Sequence, residues 1–378
     1  MARLGLARLP PRVSLAGGGT VSIARRSVLS ARLSFGGVLE PGGLTFSPAM
    51  KHRHAAGGVS VAEAAAEARP RVGISACLLG QEVRWDGRHK RDPLLADTLA
   101  RHLDFVPVCP EVAIGLGVPR GPLRLEGDAA RPRAVQIEPP RRDVTAALAE
   151  QGRRAARELD GLCGFVFKGA SPSCGVERVP VRGARGGTSR RGVGRFARAL
   201  MDARPELPVE EEGRLARPGP RDSFIERVFA YRRWLLLARG GLTPARIAAF
   251  HARQELALMA RGADDALARL LARSRGATGA ALAARYLPAF MEALRRPIPR
   301  RGHVRVLKRL VAALDGRLSR PERVALRAAV RAYRAGQTPL ALPLDMLRRH
   351  GLRQRLPGWA RQTYLNPEPG EWALRFGP

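Results

Sequence analysis

The stretch Val72-Gly73-Ile74-Ser75-Ala76-Cys77-Leu78-Leu79-Gly80 decides how the rest of the chain is read. Its first five residues form a short apolar run, closed by a cysteine and a glycine. Phe105-Val106-Pro107-Val108 is a second such run, and Leu162 to Phe167, between Gly161 and Gly169, is a third. Helical spacing fills the gaps. Asp92 to Leu103 carries it, as does Asp143 to Leu159, where Asp143 is a plausible cap and leucines and alanines share one side. Short apolar strands alternating with helices predict an α/β domain built on a parallel sheet flanked by helices.

Outward from that core the texture changes twice. Residues 1–70 show Gly and Ala stretches, scattered arginines and no sustained period. They read as a disordered extension, an over-long gene start (Met50 opens a basic stretch) or an arginine-rich targeting segment. From about Ser223 the chain reads as helix throughout. Thr243-Pro244 is an N-cap followed by proline at the first helical position, Ser319-Arg320-Pro321-Glu322 is a capping-box pattern, and Gly336 is a helix stop. Pro205 to Asp222, with its Glu210-Glu211-Glu212 run, reads as the linker. The expected division is therefore 1–70 as extension, 71–222 as an α/β domain including the linker, and 223–378 as an all-α domain.

Of 378 residues, 45% are hydrophobic, enough for a sizeable core, yet no run reaches the roughly 18 apolar residues of a membrane span. Four cysteines exclude a disulfide-built scaffold. The net charge is +33, but 62 of the 66 basic residues are arginine, a skew typical of high-GC coding. The excess is uneven: residues 223–378 hold 30 basic and 10 acidic side chains, so any polyanion partner belongs to that half. Gly186-Gly187 and Gly192-Val193-Gly194 follow no strand-like apolar run and precede no Gly-Lys-Ser/Thr, so they do not read as a phosphate loop.

The cysteines are Cys77, Cys109, Cys163 and Cys174, with no Cys-x-x-Cys pair and hence no zinc ribbon or thioredoxin site. Cys77 follows the first strand, Cys109 the second, and Cys174 lies just beyond the third. With the strands parallel, these three thiols emerge at the carboxyl edge of one sheet, where open α/β folds place ligands. Cys163 sits inside the third strand as a small core hydrophobe. Spacing alone leaves several readings open: unrelated core cysteines, a disulfide, a single nucleophile, or three thiolates around an iron–sulfur cluster with one iron open.

Five motifs in order give a resemblance. They are Ser75-Ala76-Cys77-Leu78-Leu79-Gly80, Val83-Arg84-Trp85-Asp86-Gly87, Cys109-Pro110-Glu111-Val112, Gly117-Val118-Pro119-Arg120 and Ser171-Pro172-Ser173-Cys174-Gly175. Together they resemble the thiouracil desulfidase family. Phe250-His251-Ala252-Arg253, Gly302-His303-Val304 and Tyr364-Leu365-Asn366-Pro367 are similar to the YbgA-like helical domain found fused behind such domains. The resemblance implies a [4Fe–4S] cluster held by Cys77, Cys109 and Cys174, with the unligated iron taking sulfur from a thiocarbonyl. It implies a carboxylate, Glu111, and a serine, Ser173 (Ser171 as runner-up), beside the cluster. The implied activity is non-redox conversion of a 2-thiouracil-type base to its oxo form and hydrogen sulfide, a hydrolase reaction.

Asp86 and Arg120 are candidate substrate-binding residues, and Trp85 could stack on a flat base. Asp86 also reads as a turn residue, and one arginine among 62 is a weak signal. His251 and His303 lack partners at metal-ligand spacing and read as packing or hydrogen-bonding residues. Two rival functions belong to other classes: a nucleic-acid-associated protein meeting a thiolated base in RNA through the basic C-terminal half, and a non-catalytic cluster sensor or sulfur carrier. The expected setting is the cytoplasm, where thiols stay reduced and cluster-assembly machinery acts.

Overall fold

The computed structural model describes residues 69–377 apart from 275 and 357. Expectations for residues 1–68 lie outside it.

The three apolar runs form the heart of a four-stranded, all-parallel sheet. β1 (Arg71–Ser75) lies between β2 (Asp104–Val108) and β5 (Leu162–Phe167), and β8 (Val209–Glu211) flanks β5. All six residues of β5 are buried, as suits a strand covered on both faces. A second sheet, not legible in the sequence, has the order β4-β3-β6-β7: β3 (Leu123–Glu126), β4 (Arg133–Gln136), β6 (Val179–Arg182) and β7 (Thr188–Gly192). Only its β3–β6 pairing is parallel; the two outer pairings are antiparallel. α1 (Pro110–Ala113) follows β2, and α2 (Thr145–Glu158) packs against α3 (Arg195–Ala203). The Asp92–Leu103 segment, expected as a helix, is a π turn (Leu94–Thr98) run into a 3₁₀ turn (Leu99–Arg101).

The expected linker is a correction. Glu210 and Glu211 lie in β8, hydrogen-bonded beside β5, and α4 (Glu212–Leu215) follows at once. A run of three carboxylates looks solvated in sequence, yet here it is held by backbone amides and cations described below.

The remaining chain is helical: α5 (Pro218–Arg239), α6 (Pro244–Arg261), α7 (Asp264–Arg273), α8 (Gly279–Arg295), α9 (Arg300–Leu314), α10 (Arg320–Ala335), α11 (Ala341–Arg353) and α12 (Pro369–Phe376). The sequence signals for their ends hold. The Thr243 hydroxyl accepts from the Arg246 amide, Ser319 and Glu322 form a capping box, and Gly336 closes α10 in the left-handed conformation. The expected division at 222/223 falls inside α5. Phe224 and Val228 of that helix press on β5 at Gly164, where an added Cβ would lie 2.8 Å from Val228 Cγ2. One apolar core runs from Phe165 and Phe196 through Trp234 to Phe250, Tyr286 and Phe290.

α12 is tied to α5 by buried charges. Arg375 reaches Asp222 at 2.7 Å, Glu226 at 3.2 Å and Glu371 at 2.9 Å, and Glu226 is also held by Arg261 at 2.8 Å. Burial would raise the Glu226 carboxyl, but Arg261 and Arg375 reverse this and hold it down at about 2. His303 meets Tyr364 Oη at 2.7 Å and His251 meets Tyr286 Oη at 3.2 Å; both histidines are buried hydrogen-bonding residues, as expected.

Candidate functional site

The parallel sheet delivers its loops to one edge. Cys77 lies in the 3₁₀ turn Ala76–Leu79 directly after β1, Cys109 follows β2 and precedes α1, and Cys174 ends the loop after β5. All three line a cavity of about 370 Å³, together with Ser75, Arg84, Trp85, Lys90, Glu111, Arg120, Lys168 and Ser171. Cys163 is elsewhere. It stands near the amino end of β5, buried, with its sulfur 3.4 Å from the Gly161 carbonyl.

The cysteine loop is fixed by backbone and carboxylate contacts. The Ser173 carbonyl accepts from the amides of Phe196 and Ala197 at the start of α3, each at 3.1 Å. Gly194 permits that approach: a Cβ there would lie 2.5 Å from the Ser173 carbonyl carbon. From the other side, Glu211 accepts from the Val176 amide at 2.7 Å, and Glu212 accepts from the Gly169 amide at 2.6 Å while pairing with Lys168 Nζ. Ser171 Oγ accepts from the Ser173 and Cys174 amides, the geometry of a serine turn.

Burial pushes all three cavity thiols up: Cys77 to about 11, and Cys109 and Cys174 in the same direction. The three are neighbours electrostatically. The charge of Cys109 raises Cys77, and those of Glu111, Cys109 and Cys77 raise Cys174, while Lys168 and Arg84 pull Cys77 back. The Ser75 hydroxyl accepts from the Lys168 amide at 2.9 Å, and its neighbourhood partly offsets the upward push on Cys174.

Glu111 is clamped. Its Oε1 accepts from Ser173 Oγ at 2.8 Å, and its Oε2 accepts from Arg120 Nε at 2.8 Å. Arg120 in turn donates to the carbonyls of Val83 (2.8 Å) and Gly117 (2.7 Å), and its side chain is 3% exposed. Ser173 is fully buried behind Glu111, whereas Ser171 lies on the cavity wall. Asp86 is not among the lining residues. It accepts from Arg84 Nε and from the Arg88 amide, both at 3.2 Å, and so holds Arg84 at the wall. Trp85 is 43% exposed and lines the cavity. Sequence reasoning passed over Lys168, Ser75, Arg84 and Lys90. One signal was available for the lysines: in a chain that uses arginine almost everywhere, two of its four lysines stand here.

Among the described residues, no three His, Cys, Asp or Glu side chains gather tightly enough to hold a single metal ion. A four-iron cluster asks for something different, since each thiolate binds its own iron and the sulfurs need not meet at a point. Three soft donors on one wall, with Lys168, Arg84, Lys90 and Arg120 to balance thiolate charge, fit such a group.

Residues 72–212 match the family model described as 2-thiouracil desulfurase. The chain belongs to the 2-thiouracil desulfurase family. Residues 256–369, behind the desulfurase domain, match a protein of unknown function, DUF1722. A solved structure, the [4Fe–4S]-dependent thiouracil desulfidase TudS, is 31% identical to this chain over 39% of its length and 94% of the TudS chain, with a TM-score of 0.31. No curated protein matches.

Proposed function

We propose that the α/β half removes sulfur from a thiolated pyrimidine of the 2-thiouracil type, with a [4Fe–4S] cluster held by Cys77, Cys109 and Cys174. What supports it above all is the convergence of three thiols from three strand ends on one cavity, beside a clamped carboxylate. Such a cluster, with one iron lacking a cysteine, supplies a Lewis-acidic site for a soft thiocarbonyl sulfur.

The chain's own residues do the rest. Trp85 offers its ring to a flat base at the cavity wall. Glu111 takes a proton from the water that attacks the thiocarbonyl carbon, and general-base help of this kind is worth about 10²–10⁴-fold. Arg120 and Ser173 keep that carboxylate in one orientation, so both are positioning residues; Arg120 is enclosed and does not reach out to substrate. Asp86 acts one step further back, through Arg84. Ser171, on the wall, is the serine placed to touch the base. The net reaction is thiocarbonyl plus water giving carbonyl plus hydrogen sulfide, with no change of oxidation state. The reading places the protein in the cytoplasm, supplied by cluster-assembly machinery; among the described residues no helix is long and apolar enough to cross a membrane.

A second reading is favoured by the charge of the helical half, 30 basic against 10 acidic residues in 223–378: the thiolated base is met within RNA. The test is sulfide release after anaerobic reconstitution, with 2-thiouracil and thiolated RNA in parallel. Sulfide from the free base supports the first reading. Sulfide from RNA alone, falling steeply with salt, moves the substrate to RNA. Iron-loaded protein that releases sulfide from neither leaves a sensor or sulfur carrier.

A further inference from the structure

A second cavity, of about 590 Å³, lies in the helical half between α5, α6 and residues 363–369. Four arginines line it, Arg232, Arg233, Arg246 and Arg253, against a single lining carboxylate, Glu368. Glu368 already pairs with Arg232 and with Arg233 at 3.5 Å, and Arg233 also pairs with the buried Glu371 at 2.7 Å, so the unbalanced charge is that of Arg246 and Arg253. No carboxylate among the described residues pairs with Arg246 or Arg253. The rest of the wall is partly apolar: Leu236, Leu237, Ala249 and Phe250.

Two buried donors on this wall lack an acceptor. Gln254 is 2% exposed and its Nε2 has no partner; Arg233 Nε has none either. Thr363 Oγ1 lies 2.7 Å from Gln254 Oε1 and 3.1 Å from the Arg253 carbonyl, which also accepts from the Thr363 amide at 3.0 Å. With the Thr363 hydroxyl donating to Oε1, Nε2 has no acceptor. Both atoms are closed to solvent, so the donors offered to the cavity itself are the lining guanidiniums, which suit an oxyanion.

We infer that this cavity binds a phosphorylated small molecule of nucleotide size. Excess guanidinium charge suits a dianionic phosphate, guanidinium donors match its oxygens bidentately, and the apolar wall accepts an organic body. The site is separate from the thiol-lined cavity, and its failure would leave the desulfidase reading intact.

Calorimetric titration of the full chain with uridine 5′-monophosphate and with inorganic pyrophosphate tests this. Both should bind saturably and compete. Arg253→Ala, at an exposed position, and Gln254→Glu, which sets a negative charge beside the lining arginines, should each weaken binding about tenfold or more. Arg334→Ala, an exposed arginine on α10 remote in sequence from the lining residues, should leave it unchanged. No saturable binding, equal losses in all three variants, or binding by an oligonucleotide but by neither small probe would overturn the proposal. Competition between the two probes on the unmodified chain needs no variant and keeps the proposal falsifiable if one fails to fold.

Discussion

Residue by residue, the groups that would hold the cofactor are distinct from those that would move protons. Glu111→Gln keeps the size and both hydrogen-bond partners' neighbourhood but loses the basic oxygen. It should keep its iron and lose turnover by about 10²–10⁴-fold; loss of iron together with turnover would make Glu111 structural. Ser173→Ala removes one of the two clamps on Glu111 without touching the cavity wall, so a smaller fall in turnover is expected, with the substrate KM little changed. A raised KM with unchanged turnover would place Ser173 on the substrate instead. Cys77 and Cys109 were legible because each follows a recognisable strand by one or two residues, whereas Cys174 and Glu111, further from their strands, were carried by the motifs they sit in. Which serine faces the cavity was not, since Ser171 and Ser173 sit two apart in a turn whose direction depends on α3. Lys168 was missed because it ends an apolar strand and looks like ordinary strand punctuation.

At the scale of elements, β1, β2 and β5 could be read because buried parallel strands are continuous apolar runs. The second sheet could not: β7 reads Thr188-Ser189-Arg190-Arg191-Gly192 and owes its pairing to neighbours rather than to its own pattern. The acidic run Glu210–Glu212 misled for a similar reason. Its carboxylates are spent on Val176, Gly169, Lys168 and Arg214, partners up to 44 residues away. This coupling makes the cysteine loop depend on α3 and β8. Gly194→Ala drives a Cβ into the Ser173 backbone, which cannot yield without moving Cys174. Iron binding and turnover should both fall while the far-ultraviolet circular dichroism stays native. A variant that holds a full complement of iron would show that the loop does not need this approach.

At the scale of the whole molecule, acid should destabilise the protein in two overlapping windows. Burial lowers His303 from 6.5 to about 4. Below pH 6.5 the unfolded chain takes up a proton that the folded chain refuses, so stability is full above 6.5 and is lost as pH falls toward 4. Glu226, held down at about 2 against an ordinary 4.5, contributes stability that is present above 4.5 and lost as pH falls toward 2. Each such group gives a slope of about 1.4 kcal/mol per pH unit inside its window. Urea unfolding between pH 7 and 5 should therefore show falling stability, with a shallower slope in His303→Gln; identical slopes would remove His303 from the account. His251, lowered by burial as well, acts in the same direction and leaves a residual slope.

If three particular sulfurs share one inorganic group, iron content after anaerobic reconstitution reveals it. The unmodified chain and Cys163→Ala should each bind about four irons, whereas Cys77→Ala, Cys109→Ala and Cys174→Ala should each lose most of them. Full iron in those three variants, or its loss in Cys163→Ala, would contradict the assignment.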